Sequence, residues 1–153
     1  MMKIKLDLDL KETEGNNLPR IKAIFWEIGR RLALIDHFLG ISPEEIMVRE
    51  TRKGFHVYIT TIEDFDTNPE MIVSIQLLLF SDWKREMFNL RRIIFDRKSM
   101  GEVREGWNVL FLRKKDHDGE LSKEERTKLS DELANKIVEG YEDQMAYLVG
   151  EKT

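Results

Sequence analysis

The chain has 153 residues, of which 41% are hydrophobic and 35% charged, so it is long enough and apolar enough to bury one core. It contains no cysteine, which excludes disulfide bonds, thiolate catalysis and cysteine-ligated zinc. The formal net charge of −4 argues against a generally basic coat for nucleic acid, and so high a charge content is common in proteins from hot environments.

Neither a membrane span nor a secretion signal is predicted. The longest apolar runs are interrupted by charged residues well before the ~18 residues that a span needs. The chain starts with MMKIKLDLDL, in which charged and apolar side chains alternate, so it lacks the apolar stretch of a signal peptide. We therefore expect a cytoplasmic protein with no membrane partner.

The first predicted element is a strand over residues 3–11, where apolar and charged side chains alternate strictly. The even positions are apolar and the odd positions are charged, as a half-buried strand requires. Asp7 and Asp9 are therefore predicted on one polar face. A loop rich in glycine, asparagine and proline follows over residues 14–19.

A long helix is predicted over residues 20–39, with an apolar stripe at helical spacing and Gly40 placed to end it. The next two segments, residues 46–51 and 55–61, have the composition of strands. Because only a short turn around Gly54 separates them, we expect a hairpin.

A second helical region is predicted to open at Pro69 and to restart near Ser81-Asp82. The inward-facing apolar positions are predicted to continue through Trp83, Phe88 and Ile94 in its later part. After a glycine-containing loop, residues 107–112 are predicted to form a fourth strand.

A final helix is predicted over about residues 122–149. Ser122 and Glu125 have the spacing of a capping box, which marks the start of a helix. The residues that follow repeat an apolar stripe at helical spacing. We therefore expect an amphipathic helix at the C-terminal end, either as part of the core or as a dimer surface.

The predicted order of elements is β-α-β-β-α-β followed by a helix. This order is the α+β split βαβ arrangement, which is also called ferredoxin-like or RNA-recognition-motif-like. Its first and third strands lie side by side at the centre of a four-stranded antiparallel sheet, and helices cover one face. We expect a single domain over residues 1–153, with a core of about residues 3–115 and an extra C-terminal helix.

The alternation also places His56 on the same polar face as the acidic pair. Two carboxylates at positions i and i+2 of a strand lie within roughly 7 Å of each other. They repel when both are ionised, and a hard divalent ion removes that cost. The sequence therefore predicts a metal site at Asp7 and Asp9, with a solvated strand face as the alternative.

These residues resemble two motifs of the archaeo-eukaryotic primases and primase-polymerases. Residues 6–10, LDLDL, are similar to the family's acidic strand, in which hydrophobic residues flank two acids. Residues 51–58, TRKGFHVY, are similar to its Ser-x-x-Gly-x-His-hydrophobic-aromatic strand, with threonine in place of serine. The resemblance covers about residues 4–115 and implies an RNA-recognition-motif-like sheet.

The resemblance implies that Asp7 and Asp9 bind Mg²⁺ or Mn²⁺ and that His56 is a catalytic contact to nucleotide phosphates. It also implies Lys53 and Arg92 as nucleotide-binding residues. The implied reaction is metal-dependent nucleotidyl transfer by a minimal core of mobile-element origin, either active or catalytically reduced. Nucleotides and single-stranded nucleic acid are the expected partners, with a protein partner or a homodimer as further options.

The family's third motif supplies another acid before the final strand. The matching position here is Asn89, which precedes Arg92 by three residues and replaces the acid by an amide. Asp96 and Asp82 are the alternative sources of a third carboxylate. This departure concerns catalysis rather than the fold.

Two other classes of function stay open. One is a non-catalytic module of the RNA-recognition-motif type, which the Lys53-Gly54-Phe55 sequence echoes. The other is a structural or protein-interaction domain. A basic stretch from Lys84 to Lys98 could hold a nucleic-acid backbone or a triphosphate, or it could be a solvated helix face.

Overall fold

The computed structural model describes residues 3–63, 68–110 and 123–150 of the chain. Three strands lie within these ranges: β1 (Lys3–Leu8), β2 (Pro43–Glu50) and β3 (Phe55–Thr61). The helices there are α1 (Leu10–Glu14), α2 (Leu18–Leu39), α3 (Pro69–Leu78), α4 (Trp83–Met100) and α5 (Lys128–Gly150). The mixed α+β class and the C-terminal helix are therefore confirmed. None of these helices has both the length and the apolar character needed to cross a membrane.

The three strands form one antiparallel sheet in the order β1-β3-β2. The first and third strands are therefore neighbours, as predicted, and Asp7 is paired directly with His56. The apolar positions of the alternating pattern face the core, since Ile4, Leu6 and Leu8 are at most 1% exposed. The opposite face carries the polar side chains of all three strands.

The four-stranded split βαβ arrangement is not confirmed. Residues 107–110, the described part of the predicted fourth strand, belong to no strand, and residues 111 and 112 lie outside the described ranges. Polar side chains instead bind the outer edge of β1. The N–H of Lys5 donates to Gln76 Oε1 at 2.9 Å, and the carbonyl of Lys5 accepts from Arg85 at 2.6 Å. Edge groups that a fourth strand would pair are satisfied in this way.

β1 ends at Leu8, three residues before the predicted strand end. The chain turns at Asp9, whose carbonyl accepts backbone N–H groups of Glu12 and Thr13 at 3.2 and 3.3 Å. α1 starts immediately after this turn. The sequence pattern cannot reveal such a turn. Asp9 and Leu10 continue the alternation of charged and apolar residues whether the backbone at these positions is extended or helical. Asp9 therefore lies at the end of the strand rather than within it.

The predicted hairpin is confirmed, and Gly54 allows it to approach β1. The turn between β2 and β3 is closed by a bond of 2.8 Å from Thr51 N to the Gly54 carbonyl. A Cβ atom on Gly54 would lie 1.8 Å from the carbonyl oxygen of Leu8. Only glycine therefore lets the turn pack against the end of β1.

The core lies between the apolar face of the sheet and the helices α2, α3 and α5. Phe25 of α2 meets Phe55 of β3 edge to face, with ring centroids 5.4 Å apart. α2 ends at Gly40, which has the left-handed φ of 69° expected of a helix terminator. α5 adds Leu133 and Ile137, both fully buried, to the same cluster.

The predicted break at Ser81-Asp82 is confirmed, but α4 buries the opposite face from the one expected. Trp83, Phe88 and Ile94 are 63%, 52% and 48% exposed. The buried residues of α4 are mostly polar or charged: Arg85, Glu86, Asn89, Ile93 and Asp96. This inversion arises because α4 packs beside the polar backbone edge of β1 rather than on the apolar face of the sheet.

The C-terminal helix begins at Lys128 rather than near residue 122. Ser122 lies outside the described residues, and Glu125 forms an isolated antiparallel bridge with Glu50. Thr127 and Ser130 form the actual cap, because each hydroxyl accepts the backbone N–H of the other residue, at 3.1 and 2.8 Å. Glu125 therefore does not lie in the first turn of a helix, as the predicted capping box requires.

Candidate metal and nucleotide site

Three carboxylates meet at the end of β1. Asp7 belongs to β1, Asp9 follows it at the turn into α1, and Asp82 caps the N-terminus of α4. One oxygen of each lies within 4.8 Å of the others. Asp7 is 7% exposed, and the other two are partly exposed. We call these three residues the acidic triad. Carboxylates this close repel one another when ionised, and a divalent cation relieves that repulsion.

Backbone hydrogen bonds of Asp7 bring Asp82 to the triad. The N–H of Asp82 donates to the carbonyl of Asp7 at 2.7 Å, and the N–H of Asp7 donates to Ser81 Oγ at 3.1 Å. Both backbone groups of Asp7 thus bind the turn between α3 and α4 and face away from β3. Asp7 and His56 therefore form a non-hydrogen-bonded pair, the type in which cross-strand side chains lie closest.

Asp82 is the candidate third acid that the structure brings to Asp7 and Asp9. Asn89, at the position matched to the third motif, is fully buried, and its side chain is hydrogen-bonded within a polar network described below. Asp96 accepts two side-chain bonds from Arg104, at 2.9 and 3.2 Å. Neither Asn89 nor Asp96 belongs to the acidic triad.

His56 lies between two carboxylates. Its Nε2 is 3.6 Å from Asp7 Oδ1, and its Nδ1 is 2.9 Å from Glu124 Oε2. A carboxylate oxygen accepts hydrogen bonds, so the shorter contact suits the form of His56 that has a proton on Nδ1. The hydroxyl of Tyr58 donates to the same Glu124 oxygen at 2.7 Å. Burial, together with the bond to Glu124, raises the pKa of Tyr58 above its ordinary value.

The polar face of the sheet forms a groove of about 790 Å³ next to His56. Its volume lies in the range of small-molecule sites, roughly 300–1,000 Å³. Lys3 and Arg49 supply positive charge to its walls, Glu44 and Glu45 supply negative charge, and Tyr58 and Thr60 supply hydroxyl groups. Glu124 lines the same groove, so its carboxylate occupies hydrogen-bond donors that an anionic ligand would otherwise use.

A buried polar network lies behind the triad. Its members are at most 8% exposed: Gln76, Ser81, Arg85, Glu86, Asn89 and Asn108. Glu86 accepts from four of the others, at distances between 2.5 and 3.2 Å. Those bonds use all the acceptor positions of its carboxylate. The charge of Glu86 is therefore compensated although the residue is fully buried.

Arg85 connects this network to β1. Besides Glu86, its guanidinium donates to the carbonyls of Lys5 and Val109, at 2.6 and 2.7 Å. Burial lowers the pKa of Arg85, and the Glu86 carboxylate acts in the opposite direction. Burial, followed by the neighbouring Arg85 charge, also lowers the pKa of Lys5. Arg85 thus holds the strand that carries Asp7 against the helix that Asp82 caps.

None of the three predicted nucleotide-binding residues, Lys53, His56 and Arg92, is among the residues that line the groove. Lys53 Nζ is 3.4 Å from Glu12 Oε1. Arg92 donates to Asn89 Oδ1 at 2.9 Å and lines a smaller pocket on α4. Phe55, the aromatic residue that the RNA-recognition-motif alternative calls on, is fully buried in the core. Phe55 is therefore not available to stack on a base.

Sequence reasoning missed Glu124 and Arg85. Glu124 stands in the charged run KEER, which has no motif character, and its contact with His56 crosses 68 residues of sequence. Arg85 looked like one more residue of a basic helix. The position of Tyr58, by contrast, follows from the alternation, which places it on the same face as His56.

Comparisons of the chain with protein-family models, with curated proteins and with solved structures found no match.

Proposed function

We propose that this chain is a minimal primase-polymerase-like domain that binds a nucleotide and a divalent ion on the polar face of its sheet. The observation that supports this proposal is the convergence of Asp7, Asp9 and Asp82 beside His56. Three separate elements supply these carboxylates, and backbone bonds and a buried network hold two of them in place. A strand face that was merely solvated would not require such support.

The acidic triad fits a hard cation such as Mg²⁺ or Mn²⁺, because carboxylate oxygens are the ligands these ions prefer. Asp7, Asp9 and Asp82 would hold the ion, and Asp7 would face His56 as well. When bound, the ion would lower the pKa of an attacking 3′-hydroxyl and neutralise charge on the transferring phosphate.

The residues of the groove would orient the nucleotide. Tyr58 in the groove and His56 beside it offer hydrogen-bond donors for phosphate oxygens, and Lys3 and Arg49 add positive charge next to the carboxylates of Glu44 and Glu45. In nucleotidyl transfer the hydroxyl oxygen bonds to the α-phosphorus, and the bond from that phosphorus to the diphosphate breaks. The hydroxyl proton passes to water or to a triad carboxylate.

We expect Mn²⁺ to stabilise the protein against heat through the acidic triad. An ion at 100 times its dissociation constant adds about 2.7 kcal/mol to the free energy of unfolding. For a domain of this size that raises the melting temperature by about 5–11 °C. Mg²⁺ should act less strongly, because it demands more ideal geometry. Differential scanning fluorimetry across a metal titration measures the shift.

Asp82→Asn should reduce the Mn²⁺ shift, whereas Asp96→Asn, a matched change outside the triad, should leave it intact. A primer-extension assay tests the reaction itself, and the Asp7→Ala, Asp9→Ala double variant should be inactive in it. Two results would overturn the proposal: no metal-dependent shift in the wild type, or extension by the double variant at the wild-type rate.

Replacing Glu124 by glutamine should tighten nucleotide binding. Glu124 accepts from His56 and Tyr58, the donors proposed for phosphate oxygens, and its charge repels a triphosphate. Glu124→Gln removes that repulsion with little change of shape, so we expect about tenfold tighter binding, or about 1.4 kcal/mol. Isothermal titration with a nucleoside triphosphate and Mg²⁺ measures it. Glu125→Gln is the control, and weaker binding by Glu124→Gln would show that Glu124 supports the ligand instead.

A further inference from the structure

The outward face of α4 combines large apolar side chains with basic ones and exposes no carboxylate of the helix itself. Trp83, Met87, Phe88 and Phe95 are between 52% and 63% exposed. The helix contains two acids, Glu86 and Asp96, and both are buried. Besides the buried Arg85, its basic residues are Lys84, Arg91, Arg92, Arg97 and Lys98. In a chain with a formal net charge of −4, this is a strong local separation of charge.

Part of this positive charge is available to an external ligand. Within the described part of the chain, Lys84, Arg91 and Lys98 form no ion pair, whereas Arg97 pairs with Glu70. Lys84 Nζ instead lies 5.9 Å from the centre of the Trp83 ring. Side chains that are charged and not neutralised by the protein itself favour a negatively charged partner.

A pocket of about 240 Å³ lies on this face. Two phenyl rings, three guanidinium groups and one carboxylate line it, from Phe88, Phe95, Arg91, Arg92, Arg104 and Asp96. The carboxylate belongs to Asp96, which is 2% exposed and already accepts hydrogen bonds from Arg104. Aromatic rings beside cationic groups are the combination that binds a base and its phosphate.

We propose that the exposed face of α4 binds single-stranded nucleic acid. Bases stack on the exposed rings of Trp83, Phe88 and Phe95, and phosphates lie at Lys84 and Arg91. Phe88 and Phe95 are separated by about 10 Å along the helix axis, which leaves room for separate bases. A strand is favoured over a protein partner because the face carries positive charge that the described residues do not neutralise and is rich in aromatic rings.

This surface is distinct from the acidic triad and uses no metal. It begins where Asp82 caps α4, so a strand bound along the helix would lead towards the triad. The inference concerns binding alone and does not depend on catalysis. Binding can therefore be tested in EDTA, which removes the divalent ion that the proposed metal-dependent function requires.

Fluorescence anisotropy with labelled oligo-dT and oligo-U of about 16 nucleotides tests the inference, in EDTA and between about 50 and 200 mM NaCl. The charge-reversal double variant Lys84→Glu, Arg91→Glu should bind at least tenfold more weakly, with a salt slope smaller by about 2. Phe88→Ala, Phe95→Ala should also bind at least tenfold more weakly, but with an unchanged salt slope. Both variants change exposed side chains, and circular dichroism checks that they fold.

The matched control is Lys128→Glu, Lys136→Glu on α5, which makes the same change of net charge and should keep affinity within about threefold. The double variant Asp7→Asn, Asp9→Asn should bind the oligonucleotides with wild-type affinity. The test therefore stays valid even if the protein shows no metal-dependent activity. The inference is overturned if the wild type binds neither oligonucleotide, or if the α4 variants bind as tightly as the control. It is also overturned if the α4 variants lose only a concentration-dependent self-association seen by sedimentation, since the face would then be a protein contact.

Discussion

Replacing Arg85 by alanine should lower the free energy of unfolding by about 4 kcal/mol. Arg85 is 2% exposed and Glu86 is fully buried, so the variant leaves a carboxylate in the interior without its cation. It also leaves the carbonyls of Lys5 and Val109 without the donor they have now. A loss of this size lowers the melting temperature by about 8–16 °C, which urea and thermal unfolding would both report.

Two further variants separate the charge effect from a general effect on α4. Arg91→Ala removes an exposed arginine from the same helix and should change stability by no more than about 0.5 kcal/mol. Adding Glu86→Gln to Arg85→Ala removes the uncompensated charge and should restore part of the lost stability. If Arg85→Ala costs less than about 1 kcal/mol, the network does not hold β1 against α4 as we describe.

Replacing Gly29 by alanine should cost about 3 kcal/mol, because α2 and α5 cross there with their backbones in contact. A Cβ atom on Gly29 would lie 1.9 Å from the carbonyl oxygen of Ile137. The contact is reciprocal, since a Cβ atom on Gly140 would lie 2.0 Å from the carbonyl oxygen of Trp26. Backbone atoms on both sides cannot move aside as a flexible side chain would, so the helices must separate.

The expected fall in melting temperature is about 6–12 °C for Gly29→Ala, and a similar fall is expected for Gly140→Ala. Gly150→Ala is the matched control, because it lies on α5 with no atom within 4 Å of the added Cβ. Gly150→Ala should leave the free energy of unfolding unchanged, or raise it by less than about 1 kcal/mol because alanine has the higher helix propensity. Equal melting temperatures for all three variants would show that the helices do not cross as closely as described.

Periodic patterns in the sequence predict those parts of the fold in which one face of an element is buried. β3 was predicted with its observed ends, and α2 was predicted to within two residues, because each buries an apolar stripe that ends at a recognisable signal. The same reasoning placed Asp7 and His56 on one polar face, and their strands are indeed paired. Alternation determines such a face, since side chains in a strand point to opposite sides in turn.

Tertiary contacts decided what these patterns could not. The choice of Asp82 as the third acid depends on one backbone bond to Asp7, and the contact of Glu124 with His56 joins residues far apart in sequence. α4 turns its apolar residues outwards because the edge of β1 needs hydrogen-bonding partners, and hydrogen bonding to a buried edge outweighs the burial of an apolar stripe. The sequence by itself therefore determined the sheet faces and the acidic pair. The third carboxylate, the partners of His56 and the orientation of α4 were decided only by the packing of distant segments.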